Sequence, residues 1–321
     1  MTMKKPTDDL TLMQITQRFS TEESAREYFE RLRWPTGPVC PHCGNCAQDR
    51  IYKVTPNPAK KVRAGLYKCA ECTDQFTVTV GAVCEDSHIP INKWLIAFYM
   101  MCASKTQISA LQVQRHLELG SYRSAWFMCH RIRFALQDVE PQDQLGGTVE
   151  ADETYIGGKK RGMGRRYVGN KTAVVSLVER SGRVRSQVMH KVTGDALGML
   201  LKRHVAESAN LNTDQSPLYV KAGKRYASHD VVNHSIEEDA RNDVSGRLAT
   251  ANTAEGYFGN SKRSIDGTHH HVSAKHIPLY FAELDYKYNT CKDTDGARTM
   301  GGIQKMAGKR LMLRRPKTGS A

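Results

Sequence analysis

Four cysteines stand in two pairs of equal internal spacing, Cys40-Pro41-His42-Cys43 and Cys69-Ala70-Glu71-Cys72. Two thiolates two residues apart on a tight turn point at one ion, and two such turns close a tetrahedral site. The expected chemistry is structural Zn²⁺ binding, in which the ion replaces a core too small to fold alone. The gap between the pairs exceeds the commonest spacing of about 15–20 residues. An arm fills it: Ile51, Tyr52 and Val54, then Leu66 and Tyr67, read as strands around a turn containing Pro56, Asn57 and Pro58. No βαβ pattern surrounds either pair, which argues against redox dithiols. His42 and Cys46 are alternative ligands at this stage. Cys84, Cys102, Cys129 and Cys291 read as small buried apolar residues.

A second group is acidic. Thr148 to Ile156 alternates, so Glu150, Asp152 and Thr154 share one face of a strand, and Val149, Ala151 and Glu153 the other. Carboxylates seldom crowd a strand without a cation. A later strand, Leu211-Asn212-Thr213, ends at Asp214; Asn252-Thr253-Ala254-Glu255 opens a helix. Glu255 and Lys262 lie two helical turns apart on one face. Asp152, Asp214 and Glu255 together would suit two hard divalent cations, Mg²⁺ or Mn²⁺. Held about 3.5–4 Å apart, such ions activate an attacking oxygen and stabilise a leaving one in phosphodiester exchange. Asp195 and Asp230 compete for the second position. Lys262 would contact the DNA phosphate, with Arg263 beside it.

The elements that must position these groups follow from periodicity. From residue 145 the order is three strands, a helix, a strand and more helix, an α/β pattern of the ribonuclease-H-like kind. In such a sheet the first and fourth strands are neighbours, which would let Asp152 and Asp214 meet. Upstream, Met13 to Arg33 reads as one helix. Ile91, Trp94, Leu95, Phe98, Met101 and Cys102 form a core stripe at helical spacing. A helix around Thr106–Leu117, a break at Gly120-Ser121 and a basic helix carrying Arg123, Arg131 and Arg133 give a helix-turn-helix outline.

Charge points the same way. The chain has 321 residues, with 47 Lys plus Arg against 33 Asp plus Glu, a net +14. An excess of this size suits a polyanion, most often nucleic acid. Gly157 to Lys171 is a cationic, glycine-rich loop with Lys159, Lys160, Arg161, Arg165 and Arg166 as candidate phosphate contacts. The first residues, Met1 to Gln14, contain no apolar stretch of a signal peptide. The longest apolar run, Trp94 to Ala103, is short of the roughly 20 residues that span a bilayer. The expected location is cytoplasmic, bacterial and nucleoid-associated, without a membrane.

The expected division is an N-terminal helical segment at 1–36, a zinc ribbon at 37–84, a small helix-turn-helix domain at 85–144, the ribonuclease-H-like domain at 145–292, and a mobile basic tail at 293–321.

At this point the residues resemble a known group: zinc-ribbon insertion-sequence transposases of the DDE superfamily, the IS1595 family with its ISXO2-like domain. Val149-Glu150-Ala151-Asp152-Glu153-Thr154-Tyr155-Ile156-Gly157-Gly158-Lys159 carries the match, with Thr213-Asp214-Gln215, Val232-Asn233-His234-Ser235 and Asn252-Thr253-Ala254-Glu255-Gly256-Tyr257-Phe258. Ser261-Lys262-Arg263, Gly267-Thr268-His269, Val272-Ser273-Ala274-Lys275-His276 and Asp285-Tyr286-Lys287-Tyr288-Asn289 also fit. So do Cys40 to Gly44 and Ser124 to Arg133. The resemblance implies a catalytic set of Asp152, Asp214 and Glu255 accompanied by Lys262. It implies a structural Zn²⁺, two catalytic Mg²⁺ or Mn²⁺ ions, and double-stranded DNA (transposon ends and target) as partner, bound by a homodimer or higher oligomer. Phe258 replaces a Trp common in the motif, and Thr250-Ala251 replaces an expected His-Thr pair. The expected activity is cleavage and strand transfer at terminal inverted repeats. Two alternatives stand beside it: a nuclease on the same scaffold that cuts without joining, and a transposase-derived regulator that only binds DNA.

Overall fold

The computed structural model describes residues 10–138, 143–157, 171–180, 182–231 and 252–313, together with the backbone of Arg241–Asn242 and Leu248–Ala249. The chain forms two compact units: residues 1–136 with 291–321, and residues 137–290.

The first unit begins with α1 (Leu12–Arg18) and α2 (Glu22–Arg33). The single helix expected over Met13–Arg33 is two, because Thr11 and Thr21 each cap a separate start. Glu22 and Glu23 in the first turn of α2, and Arg31 and Arg33 in its last, complement the helix dipole. Next comes a three-stranded antiparallel sheet of β1 (Ile51–Lys53), β2 (Tyr67–Cys69) and β3 (Gln75–Phe76), with Ile51 opposite Cys69. The α2 end packs on it. Trp34 meets the rings of Tyr67 and Phe76 edge-on, and the Tyr67 hydroxyl donates to Glu30 at 2.9 Å. The helix α3 (Ile91–Ala103) is buried nearly all round, which makes it the centre of the unit. A capping box of Ser109 and Gln112 starts α4 (Ala110–His116), and α5 (Tyr122–Leu136) packs on it after a short turn.

The second unit is a five-stranded sheet in the order β6-β5-β4-β7-β8, built from β4 (Thr148–Ile156), β5 (Thr172–Glu179), β6 (Val184–Met189), β7 (Asn210–Thr213) and β8 (Ser228–Val231). The first three strands run antiparallel; β7 and β8 run parallel to β4. On one face, α6 (Gly194–His204) and α7 (Val220–Gly223) cover Val149, Ala151, Val175 and Leu177. A short hairpin of β9 (Arg241–Asn242) and β10 (Leu248–Ala249) follows in the chain. On the other face, α8 (Asn252–His269) and α9 (Ile277–Asn289) cover Val174, Val178 and Ile156. Asn289 completes the edge of β6, accepting from Val184 N–H at 2.7 Å and donating to its carbonyl at 3.0 Å.

The chain then returns to the first unit. The segment expected to be a mobile basic tail forms α10 (Asp295–Gln304), packed on α3. In the structure Gly302 sits where an added Cβ would lie 3.1 Å from Leu136 and 3.2 Å from Cys102, so the missing side chain permits close helix contact. Beyond α10, Gly308 N–H donates to the Gly81 carbonyl at 2.8 Å. Lys309 donates to the Ala135 carbonyl at 2.5 Å, and Arg310 pairs with Asp86. Residues 314–321 lie outside the described residues. No described helix is long and apolar enough to cross a membrane.

Candidate metal and catalytic centres

The four cysteines converge. Gly44, at φ +76°, closes the first knuckle, where its N–H reaches the Cys40 carbonyl at 2.9 Å and Cys40 N–H reaches the Asn45 carbonyl at 2.9 Å. The second knuckle has the matching bond from Cys69 N–H to the Asp74 carbonyl at 3.0 Å, with Thr73 at φ +63°. The sulfurs of Cys40 and Cys72 are 3.6 Å apart, those of Cys43 and Cys69 3.7 Å, and all four lie within 4.8 Å of one another. A tetrahedron with Zn–S of about 2.3 Å has edges of about 3.8 Å, so the cluster is sized for zinc. Backbone amides led by that of Cys72 pull the Cys69 thiol down to about 6. The Asp74 amide also lowers the Cys72 thiol, but burial and three neighbouring thiols outweigh it and push it up to about 12. His42 and Cys46 stand outside the group.

In the second unit the alternation of β4 is as expected. Asp152 pairs in register with Ser176 and Glu150 with Val178, on the side covered by α8 and α9. Thr213 pairs with Ala151, so Asp214 leaves β7 beside Asp152. Asp214 accepts Ser216 N–H at 3.0 Å, which turns the chain away from the strand. Burial pushes the Asp152 carboxyl up to about 6. The Glu153 N–H, at 2.7 Å, acts against this, while the charges of Glu153, Asp214 and Glu255 add to the rise. The structure thus brings the three predicted acids into one electrostatic group. They are more widely spaced than the cysteines, the one group of three or more such ligands within 4.8 Å among the described residues. Of the two competitors, Asp195 is exposed and faces Lys221 at 3.9 Å, and Asp230 lies on β8 opposite Asn212. Neither is among the largest influences on the Asp152 carboxyl.

Glu255 is in the first turn of α8 and exposed; Lys262 and Arg263 are exposed further along it, with Arg263 donating to Asn260 at 2.6 Å. The donor set, all carboxylate, fits Mg²⁺ or Mn²⁺, and the mutual repulsion around Asp152 is what such a cation would relieve.

Two neighbours were not legible as parts of this site. Glu153 points to the opposite face and accepts the hydroxyl of fully buried Tyr219 at 2.7 Å. Glu150 is fully buried, yet its carboxylate is bonded to the start of α8 and to Arg180. Its only sequence signal is an acid two residues before Asp152 on an inward face.

The predicted DNA contacts divide. Arg123 is exposed at the start of α5. Arg131 and Arg133, expected to project outward, are 6% and 2% exposed. Arg131 lies over the rings of Trp94 at 5.2 Å and Phe127 at 5.3 Å and donates to the Glu85 carbonyl. Arg131 thus ties α5 to α3 and to the Glu85 backbone inside the first unit. Lys159, Lys160, Arg161, Arg165 and Arg166, and the Val232–Ser235 motif, lie outside the described residues.

Comparison with known families gives two matches. Residues 144–289 match the ISXO2-like transposase domain, and residues 20–75 match the transposase zinc-ribbon domain. A protein of the transposable element ISH50 from Halobacterium salinarum is 26% identical over 285 residues, covering 84% of this chain and 91% of that protein.

Proposed function

We propose that this chain, which belongs to the ISXO2-like insertion-sequence transposases with a zinc ribbon, cuts and joins DNA at the terminal inverted repeats of its element. One observation carries the reading. Asp152 lies at the centre of the sheet, and the charges of Asp214, at the end of the adjacent parallel strand, and of Glu255, at the start of α8, both raise its carboxyl. The sheet order β6-β5-β4-β7-β8, with β7 and β8 parallel to β4, supports reading the unit as ribonuclease-H-like.

In this reading Asp152, Asp214 and Glu255 hold two Mg²⁺ or Mn²⁺ ions. When bound, the ions supply activation of the attacking oxygen and stabilisation of the leaving one. Water attacks the phosphodiester at the element end, the P–O bond to the 3′ oxygen breaks, and a 3′-hydroxyl is freed. That hydroxyl then attacks a phosphodiester of target DNA and displaces its 3′ oxygen. Lys262 and Arg263, on the helix that carries Glu255, hold the phosphate backbone. The ribbon and the α4–α5 pair, a helix-turn-helix in this reading, bind the repeats, with Arg123 at the DNA surface. Pairing two ends requires at least two copies of the chain assembled on DNA.

The test is a pair of assays on the full chain with DNA from the flanks of its gene. Labelled ends are incubated with Mg²⁺ for cleavage, and pre-cut ends with plasmid for joining. Both products are expected, and both disappear in Asp152→Ala and Glu255→Ala while end binding is kept. Cleavage without joining supports the nuclease. Binding that alone accounts for activity, unchanged in both variants, supports the regulator.

A further inference from the structure

Asp152 and Asp214 sit on neighbouring strands whose register fixes them, but Glu255 arrives on a helix about 100 residues later in the chain. Something must set where that helix begins. Glu150 is completely buried on β4, on the same face as Asp152. One of its oxygens accepts the Thr253 hydroxyl at 3.0 Å and the Arg180 guanidinium at 2.9 Å. Its other oxygen accepts the backbone N–H of Ala254 at 3.0 Å. That N–H is one of the first-turn donors that a helix cannot satisfy internally. The Glu150 charge also faces the positive end of the helix dipole. A strand side chain therefore caps a helix distant in sequence, and the next residue of that helix is Glu255.

We propose that Glu150 is a positioning residue: it fixes the first turn of α8 to β4 and so sets the place of Glu255 relative to Asp152 and Asp214 for divalent-cation binding. This rests on the metal reading proposed above. Charge-assisted bonds to Ala254 and Thr253 of α8 and to Arg180 at the end of β5 tie both elements to one β4 carboxylate, so the latch is rigid where a neutral cap would be weaker. In Glu150→Gln one oxygen becomes an NH₂ group facing a donor, which breaks one arm of the latch with little change in shape. Thr253→Val removes one donor and leaves the carboxylate intact, and Thr253→Ser keeps that donor.

The experiment measures Mn²⁺ binding to the full chain by electron paramagnetic resonance, with the cysteine site first saturated with Zn²⁺ and folding checked by thermal melting. Removing such a supporting partner typically weakens metal affinity about 10–100-fold. The expected result is an Mn²⁺ dissociation constant raised about 10-fold in Glu150→Gln, raised several-fold in Thr253→Val, and close to the wild-type value in Thr253→Ser. Folded Glu150→Gln and Thr253→Val with wild-type Mn²⁺ affinity would overturn the proposal, as would equal losses in the valine and serine variants. If the wild-type chain takes up no Mn²⁺, or Asp152→Asn takes it up equally well, the metal reading itself fails and this inference with it.

Discussion

Replacing Asp152 with asparagine should abolish cleavage and at the same time make the metal-free protein more stable. Burial, assisted by the charges of Glu153, Asp214 and Glu255, moves the Asp152 carboxyl from 3.8 up to about 6. A shift of about two units, at roughly 1.4 kcal/mol each, means the ionised form is disfavoured by about 3 kcal/mol in the folded chain. The sign follows from proton binding. Between these two values the folded chain keeps a proton that the unfolded chain has released, so stability falls as pH rises through the window. The cost is complete above about pH 6 and absent below about pH 4. Asparagine keeps the shape without the charge, so at about pH 8 in chelator the variant gains at most about 3 kcal/mol. In a unit of about 150 residues each kcal/mol moves Tm by roughly 2–4 °C, giving an upper bound near 10 °C. Scanning calorimetry at pH 8 and pH 4.5, with chelator and then with Mn²⁺, reads this directly. The variant should melt above wild type at pH 8, the gap should narrow to about a third at pH 4.5, and Mn²⁺ should raise only the wild type. A variant melting at or below wild type at pH 8 in chelator would refute the claim that burial and the neighbouring acids make the ionised Asp152 carboxyl costly in the folded chain.

Four further outcomes follow from the first unit. Cys69→Ser should lower bound zinc and unfold the ribbon, because the ion supplies most of its folding energy; zinc assay and DNA-end binding should fall together, while the second unit keeps its melting transition. Gly302→Val should cost about 1–3 kcal/mol by overpacking against Leu136 and Cys102, seen as a lower Tm of the first unit. If α10 were undocked the change would be silent. Arg123→Gln should reduce the slope of log affinity against log salt by about 0.9 without changing Tm. Arg131→Gln should do the reverse, lowering Tm because the Glu85 carbonyl loses its donor.

The sequence was most legible where local rules govern. CxxC spacing gave the knuckles, period-two alternation gave the two faces of β4, and the cap-like run before Glu255 gave the start of α8. It failed where distant contacts decide. Arg131 and Arg133 read as basic residues projecting from α5, yet both are buried, and Arg131 bonds to the Glu85 carbonyl, a partner from elsewhere in the chain that no local pattern announces. Gly301-Gly302 has the composition of a loop, but close packing on α3 rewards a missing side chain. Glu150 reads as one more acid beside Asp152, since its partners Arg180 and Thr253 come from other elements. Asp285 and Asn289 belong to a motif that resembles the family, and the structure gives both a supporting task. Asp285 accepts Ser186 N–H at 2.8 Å and the Tyr257 hydroxyl, so like Asn289 it ties α9 to the edge strand β6.

The return of residues 295–310 to the first unit makes the second unit an insertion within it. Ala82 bridges to Ala307, and Cys102 accepts from Arg298 at 3.1 Å. During synthesis the inserted unit is complete before its host, whose central helix waits for residues 295–310 to be added. A nascent or prematurely terminated chain can therefore own an intact acidic centre while the unit carrying the zinc ribbon is still missing a wall, which orders the appearance of the two halves in time.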